Sequence, residues 1–373
     1  MSPRPDALVV GAGIVGAACA DALARAGLRV QLIEASFAGG GATAAGMGHL
    51  VVMDDTPAQL ALTARSVRLW TERADELPAD CELDPCGTLW VASDGEGLAH
   101  VARKAALYAA NGIACETLDA TALAEAEPEL RPGLAGGLLV PGDRVLYPTN
   151  AARHLIESAR RRGALLREGS IVRRVGPREA TLSTGEKLEA GFVVNAAGAR
   201  APQITPGLPV APRRGHLLIT ERAPGFARHQ LVELGYLRSA HELSAESVAF
   251  NVQPRATGQL LVGSSREFVG FDDAIDRRLL ARMLRRACEY LPRLGGLQAV
   301  RAWLGFRPAT PDKLPLVGAW QDGLYVAAGH EGLGITTALA TAELLADLAL
   351  GRRPSLDPAP FDPRRPMPEA AHA

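Results

Sequence analysis

Gly11, Gly13 and Gly16 make a GxGxxG run that follows an apolar stretch, ALVV at 7–10, and opens a segment of helical periodicity at 14–26. A second apolar stretch, RVQLI at 29–33, lies just beyond Gly27, so the amino end reads as one strand–helix–strand unit. Each position has a physical task in such a unit. Gly11 permits the tight turn, Gly13 lets the backbone approach a pyrophosphate, and Gly16 lets the helix lie close to the strand. Ile14 and Val15 open a helix whose N-terminus attracts the anion. Glu34 ends the second strand roughly 20 residues on, beside Ala35, where a carboxylate accepts hydrogen bonds from a ribose diol and repels the extra phosphate of NADP. The expectation is a dinucleotide site for NAD or FAD; the bland alternative is a glycine-rich turn that binds nothing.

Composition narrows the remaining possibilities. The 373 residues have room for about two domains, and 47% apolar against 22% charged residues supports a sizeable interior. Lys plus Arg at 40 nearly cancel Asp plus Glu at 41, so no long-range field draws nucleic acid or anionic lipid. Cys19, Cys81, Cys86, Cys115 and Cys288 are scattered without a CxxC pair, which leaves no legible disulfide framework, zinc site or iron–sulfur site; Cys81 and Cys86 read as ordinary thiols. The apolar stretch from Ala7 to Ala20 is broken by glycines and followed by Asp21, favouring a structural element over a signal peptide. No other stretch is long and uncharged enough to span a bilayer. A cytoplasmic chain is expected, with peripheral association at the inner membrane as its closest approach to lipid.

Along the chain, an amphipathic helix is expected from about Gln59 to Leu77, then short strands and a helix at 97–111. Another helix at 149–162 leads into strands ending in VVNAAG. From Pro209 to about Val300 the reading is strand-rich with one helix at 276–291, and the end has a strand at 324–328 and a helix at 335–349. The last 20 residues are Pro-rich and read as an extended tail. This alternation implies an α/β domain interleaved with an antiparallel-sheet domain.

Three later segments choose between the two dinucleotides. The loop ASFAGGGATAAGMGHL after Glu34 offers Thr43 to a phosphate, and its small residues Ala44, Ala45 and Gly46, followed by Met47, let backbone approach a flat ring. The stretch VVNAAGARA ends a strand in a small-residue turn at Ala197 and Gly198 that could pass beside the same dinucleotide. The carboxy end carries WLGFRPATPDKLPLVG and then GHEGLGITTALATAELLADLALG. In this order, and over nearly the full length, the chain resembles the FAD-dependent D-amino-acid oxidase and glycine oxidase superfamily. GMGHLVVMDD and GHEGLGI resemble more closely the bacterial D-hydroxyproline dehydrogenases and the flavin subunits of hydrogen cyanide synthase and opine oxidase.

The resemblance implies a glutathione-reductase-like, Rossmann-type FAD domain at 1–80, 147–208 and 303–373, and a substrate domain at 81–146 and 209–302. It implies non-covalent FAD, with Val172 at the adenine and the turn Gly332, Leu333, Gly334, Ile335 and Thr336 against the flavin pyrimidine, where helix amides steady reduced flavin. Arg307, in the WxGxRP pattern, aligns with the arginine that grips the substrate carboxylate, for which a planar guanidinium is suited; a structural salt bridge is the alternative there and the reading for Arg301. Where the amino-acid oxidases commonly read GHxRNGI, Gly332 and Leu333 replace arginine and asparagine, and Glu331 instead places a carboxylate toward substrate or a basic neighbour. His49 is a candidate to orient substrate or accept a proton; His330 reads as structural, and Arg213, Arg214, Asp54 and Asp55 as solvated or interface charges.

The implied reaction is dehydrogenation of a D-amino acid or a cyclic amino acid of the D-proline or cis-4-hydroxy-D-proline type, by hydride transfer to flavin N5. Alternatives are an oxygen-using glycine or D-amino-acid oxidase, and the flavin subunit of a hydrogen cyanide synthase or opine oxidase type of complex. The implied partners are the amino- or imino-acid substrate and an electron acceptor, either subunits with a second flavin or an iron–sulfur centre or a respiratory acceptor.

Overall fold

The computed structural model describes residues 4–234 and 246–368. Two sheets organise them. The first runs Leu316–Gln321, Leu324–Ala328, Phe192–Asn195, Ala7–Val10, Val30–Ile33 and Leu165–Arg167, parallel except for the hairpin between its first two strands. Its central strands, ALVV, VQLI and FVVN, are mostly apolar and mostly buried because both faces are covered. The helices Ile14–Arg25, Pro57–Glu72, Pro148–Arg160 and Gly334–Ala349 share one buried cluster with this sheet, built on Leu23, Trp70, Leu155 and Leu345. On the opposite face, Leu8, Val10, Ile33 and Val193 pack with the three-stranded sheet that begins at Val172.

The second sheet runs Ala299–Ala309, Ala211–Arg222, Gln259–Glu267, Glu246–Pro254, Gln230–Glu233, Thr88–Ala92, Gly136–Val140 and Glu116–Asp119. It is antiparallel apart from the pairing of Gln230–Glu233 with Thr88–Ala92. The amphipathic helix Arg277–Tyr290 covers one face, burying Met283, Ala287 and Tyr290 against Phe250, Val252 and Leu231. The other face turns toward the first sheet and carries the polar residues described below.

Three expectations need correction. The domain boundary set at 303 falls inside the strand Ala299–Ala309, which is hydrogen-bonded along its length to Ala211–Arg222, so WLGFRPA belongs to the second sheet. The helix expected to reach Leu77 ends at Glu72 and gives way to a single tight turn at Ala74–Glu76. The tail is docked: Phe361 is buried, and the Arg365 guanidinium is forked onto the Asp312 carboxylate.

Candidate functional site

The first turn is a cradle of backbone. Gly11 sits at φ +103°, and a methyl group there would lie 2.5 Å from the Ala196 carbonyl oxygen; one on Gly16 would lie 1.8 Å from the Gly11 carbonyl oxygen. Strand, helix and the turn carrying Ala197 and Gly198 can meet this closely only without side chains. Gly13 is the N-cap of the helix Ile14–Arg25 and has no side chain to cap it, so Thr43 Oγ1 accepts the Ile14 N–H at 2.9 Å instead. Glu34 accepts the Ala12 N–H and the Ser36 N–H, one on each carboxylate oxygen and each at 2.8 Å, which fixes its plane beside the helix N-terminus. Ala35 and Ala44 are exposed, Val15 half-buried, and Val172 buried at the start of the first strand of the three-stranded sheet.

From Thr43 the loop passes between the two sheets. A methyl group on Gly46 would stand 2.7 Å from Ile335 Cδ1, and one on Gly305 would stand 2.5 Å from Ala45 Cβ. Gln253 Nε2 donates to the Met47 carbonyl at 2.8 Å, Trp303 Nε1 to the Ala45 carbonyl at 3.3 Å, and Thr336 Oγ1 to the His49 carbonyl at 2.8 Å. Expected cofactor residues at 43–47 and 332–336 are thereby brought to one seam. The turn before the helix Gly334–Ala349 is tied to the second sheet by Glu331 N–H donating to the Pro308 carbonyl at 2.9 Å. His330 is fully enclosed, its Nε2 bonded to Thr341 Oγ1 at 3.0 Å, and burial pushes its pKa down to about 3. That is the structural role expected of it.

Arg307, Glu331 and His49 converge on this seam. Arg307 projects from its strand across Gly215, where a methyl group would fall 2.0 Å from Nη1, and its Nη1 donates to the Ser265 carbonyl at 3.0 Å. Gly332 faces the same side chain, 3.6 Å from Nε by the same measure. The Glu331 backbone is left-handed at φ +50°, and its carboxylate accepts from Arg213 Nη1 at 3.0 Å. Burial alone would raise the Glu331 pKa, but the charges of Arg213, Arg307 and Arg266 outweigh it and hold the group ionised. His49 lies near Asn251 and Gln230; burial, reinforced by the Arg307 charge and opposed by Gln230, pushes its pKa down to about 4. A neutral imidazole can accept a proton or a hydrogen bond.

Several residues at the seam carried no sequence signal that singled them out: Arg213, Arg266, Gln230, Asn251, Gln253 and Lys313. Of the reading of Arg213 and Arg214 as solvated or interface charges, the solvated alternative is corrected. Adjacent strand residues face opposite ways, so Arg213 reaches Glu331 while Arg214 pairs with Glu267 at 2.8 Å on the other face, and both are buried. Asp54 is likewise no surface charge but the partner of buried Lys104, which stands over the Trp90 and Tyr108 rings. Arg301 is exposed and lies over the Trp303 ring at 5.8 Å rather than in the salt bridge expected of it. Burial pushes the Cys81 and Cys86 thiols up to about 12, consistent with inert thiols.

The residues at the seam fit FAD. The glycine cradle and the Glu34 carboxylate suit a pyrophosphate and a ribose. Where the loop meets the second sheet, His49 Nδ1, Asn251 Oδ1, Gln253 Oε1 and Ser264 Oγ are buried with no hydrogen-bond partner among the described residues. Such atoms are rare unless something polar meets them, and a heteroatom-rich ring would. No cluster of metal-ligating side chains occurs among the described residues, and no described helix is long and apolar enough to cross a membrane.

Comparison with known proteins agrees. The family model described as DAO, FAD dependent oxidoreductase, matches residues 6–348. Glycine oxidase of Pseudomonas aeruginosa is 30% identical, covering 95% of this chain and 98% of its own. The hydrogen cyanide synthase subunit HcnC of the same species is 28% identical, covering 100% and 98%. The crystal structure of glycine oxidase from Geobacillus kaustophilus matches with a TM-score of 0.88 at 26% identity, over 98% of this chain and 100% of that one.

Proposed function

The chain belongs to the DAO family of FAD-dependent oxidoreductases, and on that premise we propose that it dehydrogenates a small amino or imino acid held by Arg307, of the D-amino-acid or cyclic D-proline and cis-4-hydroxy-D-proline type. The observation that carries this reading is the position of Arg307. Its guanidinium lies at the seam between the sheets, given room by Gly215 and Gly332 and close enough for its charge to act on both His49 and Glu331.

When bound at the glycine cradle and the seam, FAD would supply a two-electron acceptor for oxidation of the substrate amine to an imine. The remaining work falls to side chains. Arg307 grips the carboxylate and so fixes where the α-hydrogen points. Glu331, kept ionised by its cationic neighbours, offers an acceptor to the substrate nitrogen or a ring hydroxyl. His49, kept neutral by burial and the Arg307 charge, can accept a hydrogen bond from the substrate nitrogen and orient it, while its lowered pKa makes it a poor base for the ammonium, so substrate enters as the neutral amine. Cofactor contacts are assigned to Gly11, Gly13, Ile14, Val15, Gly16, Glu34, Ala35, Thr43 to Met47, Val172, Ala197, Gly198 and Gly332 to Thr336.

The test is an anaerobic screen of D-amino acids, D-proline, cis-4-hydroxy-D-proline, glycine and sarcosine for bleaching of the flavin, repeated with Arg307→Ala. We expect bleaching by at least one of these, and a roughly 30- to 4,000-fold loss of kcat/KM in the variant with flavin still bound, from the about 2–5 kcal/mol that removing one partner of a buried charge pair costs. Unchanged turnover at low substrate would overturn the role of Arg307. The similarity to glycine oxidase and to a hydrogen cyanide synthase subunit supports two ways of reoxidising the flavin. Peroxide formed by the purified chain would favour oxygen; its absence, with turnover restored by an artificial acceptor, would favour a partner subunit or a respiratory acceptor.

A further inference from the structure

Arg213 and Arg307 stand directly opposite one another in the antiparallel pairing of Ala211–Arg222 with Ala299–Ala309, so both side chains rise from one face of the sheet. Directly opposed residues have Cβ atoms about 5 Å apart, and like charges so placed repel. Burial sharpens that repulsion, since Arg213 is 6% exposed. Glu331 answers part of it, bonding Arg213 through Nη1 alone. The Arg213 Nε is buried with no acceptor among the described residues, although the guanidinium is otherwise well seated, over the Phe268 ring at 5.1 Å. An unmet N–H on a buried cation is expensive, and native sites seldom keep one without a use. Arg266 and Lys313 bring further positive charge to the same wall, acting on Glu331 and on one another.

We propose that the substrate is a dicarboxylic amino or imino acid: Arg307 takes the carboxylate beside the reacting carbon, and Arg213 takes a second carboxylate through its free Nε edge. This rests on the reading of Arg307 given above and narrows its substrate, favouring a dicarboxylic amino or imino acid over the monocarboxylic D-proline type. A planar guanidinium can serve two anions on two edges, so Glu331 and the second carboxylate share Arg213 rather than compete for one donor. A monocarboxylate leaves the Nε edge unmet, which makes the pocket discriminate by an unsatisfied buried donor.

The experiment uses the FAD-loaded enzyme. Anaerobic flavin reduction is timed with D-alanine against D-aspartate and D-glutamate, and with sarcosine against iminodiacetate. In parallel, succinate and butyrate, which carry no amine to oxidise, are titrated against the flavin absorbance. We expect each dicarboxylate to exceed its monocarboxylate partner at least tenfold in reduction rate over Kd, and succinate to bind at least tenfold tighter than butyrate. In the double variant Arg213→Met/Glu331→Met, which removes both charges together, that ratio should fall toward one. If monocarboxylates reduce the flavin as well as dicarboxylates do, or if the ratio survives the double variant, the inference is overturned while the amino-acid reading stands. If neither kind reduces the flavin, the reading itself falls and takes the inference with it.

Discussion

The glycine cradle and the charged wall of the seam are built of opposite materials. The cradle is backbone: glycines at 11, 13 and 16, one hydroxyl from Thr43 and one carboxylate from Glu34, nearly all within a short stretch of chain. The wall is charge: Arg213, Arg307, Arg266 and Glu331, brought together from strands and a turn far apart in sequence, with neutral His49 beside them. A site made of close backbone approach fails when an atom is added. A site made of buried charge fails when one is removed.

The largest effect should therefore come from the smallest addition. Gly16→Ala places a methyl carbon 1.8 Å from the Gly11 carbonyl oxygen and 3.3 Å from Ala196 Cβ, with no flexible side chain to yield. We expect a cost of roughly 3 kcal/mol or more from overpacking and a colourless product, read by flavin absorbance and thermal unfolding. A yellow variant of unchanged Tm would mean that the cradle is looser than its geometry. Next comes Arg307→Lys, which keeps the charge but loses the fork. It should retain flavin fully and lose about tenfold to a hundredfold in kcat/KM, in line with the roughly 1.5–3 kcal/mol of a hydrogen bond to a charged group. Wild-type turnover would reduce Arg307 to a point charge.

The same contrast explains what the sequence disclosed. The cradle was legible because its constraints are local: a turn, a helix start and a strand end recur at fixed offsets, and the contacts of Gly11, Gly16 and Glu34 lie where those offsets put them. The two sheets were legible in outline from apolar period and turn residues. Arg213 was not, because two adjacent arginines on a strand look alike until the faces of the sheet are assigned, and only tertiary pairing sends one to Glu331 and the other to Glu267. Gln230, Asn251 and Gln253 were invisible for the same reason: nothing local distinguishes a strand amide that faces the seam from one that faces water. The boundary near 303 erred because a motif can sit on an element that crosses from one module to the other.

Glu331→Gln tests the wall from its anionic side. The amide keeps the shape and can still accept from Arg213, but three guanidinium groups lose the negative charge they face. We expect a loss of roughly 2 kcal/mol in unfolding free energy, read by urea denaturation, with flavin content unchanged because no cradle contact is touched. Loss of flavin in this variant would show that wall and cradle are one unit, against the division drawn above.

The finest test is acid–base, and its sign differs between the two regions. His330, packed on the nucleotide side, and His49, at the seam, have pKa values of about 3 and about 4 in place of 6.5. Below pH 6.5 the unfolded chain binds protons that these residues refuse, so their contribution to stability falls as the pH drops from 6.5 toward 3. Asp143, buried in the turn that follows the second-sheet strand Gly136–Val140 with Oδ1 accepting the Val52 N–H, is pushed up by burial to about 7 from 3.8. The fold keeps a proton that the unfolded chain releases above about pH 4, so its contribution is full in acid and declines as the pH rises to 7. The difference in stability between Asp143→Asn and the parent protein should therefore change in the variant's favour as the pH rises from about 4 to 7, by up to about 1.4 kcal/mol per pH unit. Urea melts at pH 5, 6, 7 and 8 measure it. A difference that stays flat across that range would mean that Asp143 is ionised throughout, held by the charge of Lys104, and that this turn buries a paired carboxylate rather than a protonated one.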